Sequence, residues 1–363
     1  MKQGQGFFYS VLRAFKWYGQ ILALVGGHLP MGGIFSPGPL LAQQIRLGTQ
    51  QKLDYSLDSL YRGTVFSYEV AIQAQKIPFS LDFNQAIFRL ASHWKASHFQ
   101  FPVFFRGTQF EGQAQFAGAQ FEKEVVLSRA CFRQSSDFAQ TSWQGESSFW
   151  LARFEGLVSF QNAHFQAPAL FGGVHFANTA IFSQIHFDSA AFFSGSNFQK
   201  QAVFEEAHFA GEADFTECRF AEAAIFSRAH FRKTAQWQGS TFGLCLDLRG
   251  AVFEESAWLD GIVLPDTLRL DNLEIHGQGL FLEDAILPSH RPACFLFLEN
   301  APLDKLYLDF SKFTLCFSAQ MSSAQKVHLL KQILQKLDPA LAPEAVRHLQ
   351  NTLLEIETNP VRP

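Results

Sequence analysis

The chain has 363 residues, 29 Lys plus Arg and 33 Asp plus Glu, which gives a formal net charge of −4 at pH 7. This near balance argues against a nucleic-acid binder that relies on phosphate contacts, because such a protein needs an excess of basic residues. Phenylalanine occurs 42 times, and the length fits one elongated repeat domain with appended ends rather than several globular domains.

Residues 1–53 form a basic arm that contains no Asp or Glu. Within it, the apolar stretch from Ile21 to Val25 continues through glycines to Phe35, and a small residue follows at Ala42. A basic start, an apolar core and a small residue in this order are typical of an export signal. Polar residues and prolines interrupt the apolar core, which argues against a transmembrane helix.

Two interpretations of the arm are open. Export, or membrane attachment through residues 7–35, would place the protein outside the cytoplasm or at a membrane, and we favour this location. Alternatively, residues 7–25 form an amphipathic helix that closes the first coil of the domain that follows.

A large apolar residue recurs from Tyr55 to Ile286 at alternating intervals of six and five residues. Between Phe99 and Phe231 every such position is Phe, except Leu127 and Trp143. A small residue, most often alanine, precedes each large one by two positions, and the remaining residues are mostly polar. A fixed period of this kind predicts a repeat architecture.

The spacing of this repeat predicts extended segments. Two residues separated by two positions point to the same side of a strand, whereas steps of five and six would spread apolar residues around a helix. One eleven-residue unit leaves too little room for two opposed rings, so we expect two units per coil. The sequence therefore predicts an all-β solenoid with four sides, about 22 residues per coil and a strand spacing of ~4.8 Å.

The unit small-x-Phe-x-x resembles the pentapeptide-repeat family, whose consensus is small-(Asp/Asn)-(Leu/Phe)-x-x. The resemblance implies a right-handed quadrilateral β-helix over residues 54–290, with the small and the Phe positions pointing inward. The sixth residue in alternate units departs from the consensus and is found in many Phe-rich bacterial members. Residues 262–335 are also similar to the tail of cyanobacterial-type members.

After Ile286 the rhythm loosens, and residues 291–320 are predicted to be an irregular strand extension. Alternation of apolar and polar residues indicates strands near Ala293–Leu298, Leu306–Phe310 and Phe313–Phe317.

Residues 321–363 are predicted to be helical. Ser322 and Gln325 have the spacing of a capping box, Pro339 should end the first helix, and Pro343 stands where a second helix can begin. We expect the two helices to cap the open end of the solenoid, which would otherwise expose strand edges. The alternative is a helix pair that forms a homodimer.

Four histidines occupy an outward slot directly before an inward Phe: His164, His186, His208 and His230, each 22 residues from the next. A 22-residue coil would stack them on one face, with His98 further along the same column. Two functional hypotheses are a metal-binding ladder and a pH-sensitive face, because adjacent protonated imidazoles repel each other. The alternative is that exposed strand positions tolerate histidine and that repeat duplication copied it.

The five cysteines form no Cys-x-x-Cys motif, which argues against a zinc ribbon or a redox motif. Cys218 occupies an inward small slot, whereas Cys131 should point outward. Cys294 and Cys316 are 22 residues apart, so a continued solenoid would stack them at a distance that permits a disulfide.

The sequence contains no Gly-x-Ser-x-Gly, no phosphate-binding loop and no His-Glu-x-x-His, and we expect neither catalysis nor a cofactor. The leading hypothesis is a non-enzymatic solenoid whose flat polar faces bind or scaffold an unknown protein partner. The family resemblance supplies an alternative, since some members mimic duplex DNA and bind type II topoisomerases. Acidic residues gather between Glu205 and Glu222, but the Phe core, the basic arm and the weakly acidic rod speak against mimicry.

Overall fold

The computed structural model describes residues 61–337 and 343–358. The predictions for the arm of residues 1–53 lie outside the described residues. Short parallel strands succeed one another around four faces, and each strand pairs with the strand one coil later on the same face. The architecture is a β-solenoid of about 11 coils with about 22 residues per coil, which confirms the fold class predicted from the repeat.

Face 1 is a nine-stranded sheet: β1 (Val65–Phe66), β5 (Ile87–Phe88), β9 (Gln109–Phe110), β13 (Cys131–Phe132), β17 (Arg153–Phe154), β21 (His175–Phe176), β25 (Asn197–Phe198), β29 (Arg219–Phe220) and β33 (Thr241–Phe242). Face 2 has twelve strands: β2 (Val70–Ala71), β6 (Ser92–His93), β10 (Ala114–Gln115), β14 (Ser136–Asp137), β18 (Val158–Ser159), β22 (Ala180–Ile181), β26 (Ala202–Val203), β30 (Ala223–Ile225), β34 (Cys245–Asp247), β37 (Thr267–Arg269), β40 (Cys294–Phe297) and β42 (Phe313–Cys316).

Face 3 has ten strands: β3 (Lys76–Ile77), β7 (His98–Phe99), β11 (Gln120–Phe121), β15 (Ser142–Trp143), β19 (His164–Phe165), β23 (His186–Phe187), β27 (His208–Phe209), β31 (His230–Phe231), β35 (Val252–Phe253) and β38 (Glu274–Ile275). Face 4 has eleven: β4 (Leu81–Asp82), β8 (Val103–Phe104), β12 (Val125–Val126), β16 (Ser147–Ser148), β20 (Ala169–Leu170), β24 (Ala191–Phe192), β28 (Ala213–Asp214), β32 (Ala235–Gln236), β36 (Ala257–Trp258), β39 (Leu280–Leu282) and β41 (Leu306–Leu308).

Stacked aromatic rings fill the interior. Each inward ring lies over its equivalent one coil later, as for Phe182 and Phe204, whose centroids are 4.6 Å apart at 2°. Rings from opposite faces meet edge-on, as for Phe182 and Phe193 at 5.4 Å and 90°. Both arrangements suit the ring quadrupole, and such pairs stabilise by about 0.5–1.5 kcal/mol beyond the burial of area. The small slots, such as Ala180 and Ala202, are fully buried and leave room for the rings.

The corners between faces 2 and 3, and between faces 4 and 1, use a left-handed residue in each eleven-residue unit. Gln184, Glu206 and Arg228 take this conformation, each with φ of 56°, and Gly195 takes it with φ of 67°. A left-handed residue turns the chain sharply. Because such a residue recurs at the same place in every coil, the side chains of one corner lie in a column along the solenoid.

The predicted inward pattern is wrong at Phe281 and Ile286. Ala257 on β36 pairs with Leu280 on β39, so this coil holds one extra residue. The insertion turns Leu282 inward and Phe281 outward, because a shift of one residue exchanges the two sides of a strand. Face 1 ends in isolated bridges, and Ile286 is 54% exposed.

The predicted stack of Cys294 on Cys316 is also wrong. Cys294 lies opposite Phe313, and Cys316 lies opposite Phe297. The last coil of face 2 is therefore three residues shorter than the regular coil, which offsets the two cysteines along their strands. Both are free thiols.

Two helices follow the last strand: α1 (Ser323–Lys336) and α2 (Pro343–Thr358). The predicted capping box of Ser322 and Gln325 is confirmed. Leu330 and Ile333 of α1 join the same hydrophobic core as the solenoid residues. No helix in the part of the chain that the structure describes is long and apolar enough to cross a bilayer.

Two buried indoles provide a test of this core. Trp143 Nε1 donates to Thr141 Oγ1 at 2.8 Å, whereas the equally buried Trp237 Nε1 has no partner among the described residues. An unsatisfied buried donor costs about 1–3 kcal/mol. We therefore expect Trp143→Phe to lower the free energy of unfolding by about 1–3 kcal/mol more than Trp237→Phe, measured by urea unfolding with circular dichroism. Equal losses in the two variants would contradict this assignment.

Candidate functional site: the histidine column of face 3

The predicted stack of histidines is confirmed. His164, His186, His208 and His230 begin β19, β23, β27 and β31, and each lies in register with the next. The following Phe of each strand points inward, so the imidazoles point outward. His98 on β7 lies in the same column, separated from His164 by Gln120 and Ser142.

The four imidazoles form a continuous row. The ring centroids of His164 and His186 are 6.0 Å apart at 71°, and those of His208 and His230 are 5.4 Å apart at 78°. The central pair differs, because His186 and His208 stack face to face at 4.9 Å and 13°.

A second column supplies carboxylates to some of these imidazoles. Where a carboxylate is present, it belongs to the residue 24 positions later: the Nε2–oxygen distances are 2.6 Å for His98–Glu122, 2.7 Å for His164–Asp188 and 3.0 Å for His230–Glu254. The residue 24 positions after His186 is Ala210, and the residue 24 positions after His208 is Arg232. The central pair of the row therefore has no carboxylate in this column.

The left-handed corner lies on the other side of the row. Gln184 Nε2 donates to Glu206 Oε2 at 2.9 Å, and Arg228 Nε donates to Glu206 Oε1 at 2.9 Å. The backbone oxygen of Gln184 accepts from Nδ1 of His186 at 3.1 Å. Because a carbonyl only accepts, this contact places a proton on Nδ1 of His186 and leaves its Nε2 free to face outward. These side chains, with Asn162 and His208, line an open groove of about 460 Å³.

The electrostatics of the row are uneven. Burial lowers the pKa of His208, and the positive charges of His186, His230 and Arg232 lower it further. Hydrogen bonds from Gln184 and Arg228 lower the pKa of Glu206. At neutral pH the site therefore holds a neutral His208 beside charged carboxylates and guanidinium groups.

The metal hypothesis gains no support from this geometry. Within residues 61–337 and 343–358, no group of three or more His, Cys, Asp or Glu is arranged to hold a metal ion. Arg232 also stands where a carboxylate would accompany His208, and a guanidinium repels a cation.

Two features were missed by the reading of the sequence. The carboxylate column could have been found by comparing each histidine with the residue 24 positions later. The acidic residues near Glu205 are not an isolated negative patch, because Arg228 lies 2.8 Å from Glu205 and Lys200 lies 2.7 Å from Glu222.

The in-register parallel faces, the stacked inward rings and the outward polar columns define a repeat protein of the β-solenoid class. Three segments, residues 149–197, 171–219 and 215–263, match the family model described as pentapeptide repeats (9 copies). The matched segments together cover residues 149–263 and identify this part of the solenoid as pentapeptide repeats, and the Phe-rich repeats of the neighbouring coils are consistent with the same family. No curated protein and no solved structure matches the chain.

The lowered pKa of His208 predicts a dependence of stability on pH. Because the folded-state pKa lies below the 6.5 of an unperturbed histidine, the stabilisation is present above about pH 6.5 and is lost as the pH falls through the folded-state pKa. We expect His208→Gln to reduce the loss of stability between pH 7.5 and pH 5, measured by the urea midpoint. The exposed His328 on α1 serves as the control, and His328→Gln should retain the full loss. An unchanged loss in His208→Gln would contradict the account.

Proposed function

We propose that the protein is a non-enzymatic pentapeptide-repeat solenoid that binds or scaffolds a protein partner through face 3. The observation that supports this proposal most strongly is the outward column of face 3, which follows ten strands in register. Its five histidines, with Gln120 and Ser142 between His98 and His164, are spaced by the strand separation of ~4.8 Å on a rigid sheet. A partner that docks on such a surface orders few of the solenoid's own residues, which lowers the entropic cost of association.

Two grooves formed by the described residues are open, which favours binding over catalysis. The groove beside His186 is open, and a second open groove of about 450 Å³ lies where Leu298, Met321 and Leu329 meet at the junction of the last coil with α1. Catalytic sites usually exclude water around convergent polar groups. Most inward side chains of the described coils are apolar and serve packing.

The alternative function, a DNA-mimicking regulator of a type II topoisomerase, requires an exposed acidic surface. Arg228 forms ion pairs with Glu205 and Glu206, and Lys200 forms one with Glu222. These contacts reduce the negative potential of the acidic region, so no observation favours this alternative over the binding of a protein partner through face 3.

Site-specific photocross-linking in the native cell tests whether a protein partner binds through face 3. A photoreactive amino acid replaces one outward residue on each face: Arg153 on face 1, Ser159 on face 2, Ser142 on face 3 and Ser148 on face 4. We expect one protein to be cross-linked from face 3 at least tenfold more than from the other faces, and to bind the purified full chain afterwards. Equal cross-linking from all faces, or none from face 3, would rule out this assignment.

A further inference from the structure

We propose that His186, His208 and Arg232 form a subsite for a carboxylate of an acidic segment in the protein partner, and that binding is coupled to proton uptake. The inference rests on the proposed function of face 3 and names the chemistry of the segment that docks there.

The other histidines of the column show which group binds to an imidazole at this position. His98, His164 and His230 each have a carboxylate oxygen within 3.0 Å of Nε2. His186 and His208 lie in the same slot and have no such carboxylate, since Ala210 and Arg232 occupy the corresponding positions. A partner carboxylate would complete the pattern at the one place where the chain interrupts it.

The geometry of the central pair suits an oxyanion. The two rings are stacked at 4.9 Å and 13°, so their planes are nearly parallel and one carboxylate can lie beside both. Nδ1 of His186 is held by the backbone oxygen of Gln184, which directs its Nε2 to the outside. When protonated, the two rings can each donate a charge-assisted hydrogen bond to one oxygen of the same carboxylate.

An unpaired guanidinium beside the pair favours an anion over a cation. His164 and His230 flank the pair along the column, and both are already bound to carboxylates at Nε2. On one side Asp188 is occupied by His164, and Arg232 forms no ion pair within the described residues. On the other side Glu206 is occupied by Gln184 and Arg228. Arg228 is shared between Glu206 and Glu205, so Arg232 is the charged side chain beside the pair that lacks an ion-pair partner in the described part of the chain.

Binding must be linked to protonation. Burial and the neighbouring positive charges keep the pKa of His208 low in the free protein. A bound carboxylate adds a negative charge that raises this pKa, and by reciprocity protonation raises the affinity for the carboxylate. Affinity should therefore increase as the pH falls from 7.5 to 5.5, where glutamate side chains with a pKa of about 4.3 remain mostly ionised.

An acidic protein segment fits this surface better than a small free anion. The groove is open to solvent and runs along several coils past Asn162, Gln184 and Arg228. A small ion on an open surface makes few contacts, whereas an extended segment can place further polar groups along the column.

The test measures binding of a fluorescent peptide of six glutamates to the full chain by anisotropy, at constant ionic strength and at pH 7.5, 6.5 and 5.5. We expect the peptide to bind at least tenfold more tightly at pH 5.5 than at pH 7.5. The double variant His186→Gln, His208→Gln should lose most of this gain, and Arg232→Gln should weaken binding at every pH. His175→Gln is the matched control, because His175 occupies the equivalent outward slot on face 1 and should leave binding unchanged.

The proposal is overturned by any of the following results: an affinity independent of pH, a double variant that binds like the parent chain, or a glutamine peptide that binds as tightly as the glutamate peptide. Displacement of the peptide by an equal concentration of inorganic phosphate would also overturn it, since the site would then recognise any small anion. If the double variant still cross-links its partner from Ser142, the proposed binding through face 3 is retained and the carboxylate subsite alone is wrong.

Discussion

The stacking of inward rings from coil to coil is the interaction on which the rest of the structure depends. Phe154 and Phe176 lie 5.4 Å apart at 4°, and Phe209 and Phe231 lie 4.8 Å apart at 2°. Parallel strands separate the coils by ~4.8 Å, so planar rings with the same rotamer can meet face to face only if each coil has the same length. The repeat length is therefore a packing requirement.

The same requirement creates the outward columns. Once Phe187 must lie over Phe165, the residue before it must lie over His164, whatever its own chemistry. A stack of imidazoles is thus an automatic consequence of the register, and the row alone says little about function. The informative feature is the interruption, where Ala210 and Arg232 replace the carboxylates that accompany the neighbouring histidines.

The regular part of the fold could be predicted because one local pattern repeats, so an error at one coil would conflict with all the others. The period led directly to the coil length, the inward rings and the row of histidines. At the end of the solenoid this redundancy is lost. Near Phe281 apolar residues stand at three consecutive positions, Leu280 to Leu282, and alternation cannot tell which of them faces inward.

The offset of Cys294 and Cys316 has a similar origin. Their separation equals one regular coil, but the number of residues in the connection between β40 and β42 decides the register there. The ion pairs of face 3 were hidden for another reason. Their side chains reach from one coil to the next, so the two partners can be identified only after the register is known.

Disulfide trapping tests the register most directly. In-register parallel strands bring paired Cα atoms within the range of about 4.4–6.8 Å that a disulfide needs. The account predicts that a chain with His186→Cys and His208→Cys closes a disulfide under mild oxidation, whereas one with His175→Cys and His186→Cys, on two different faces, does not. Closure of the second pair but not the first would contradict the 22-residue coil.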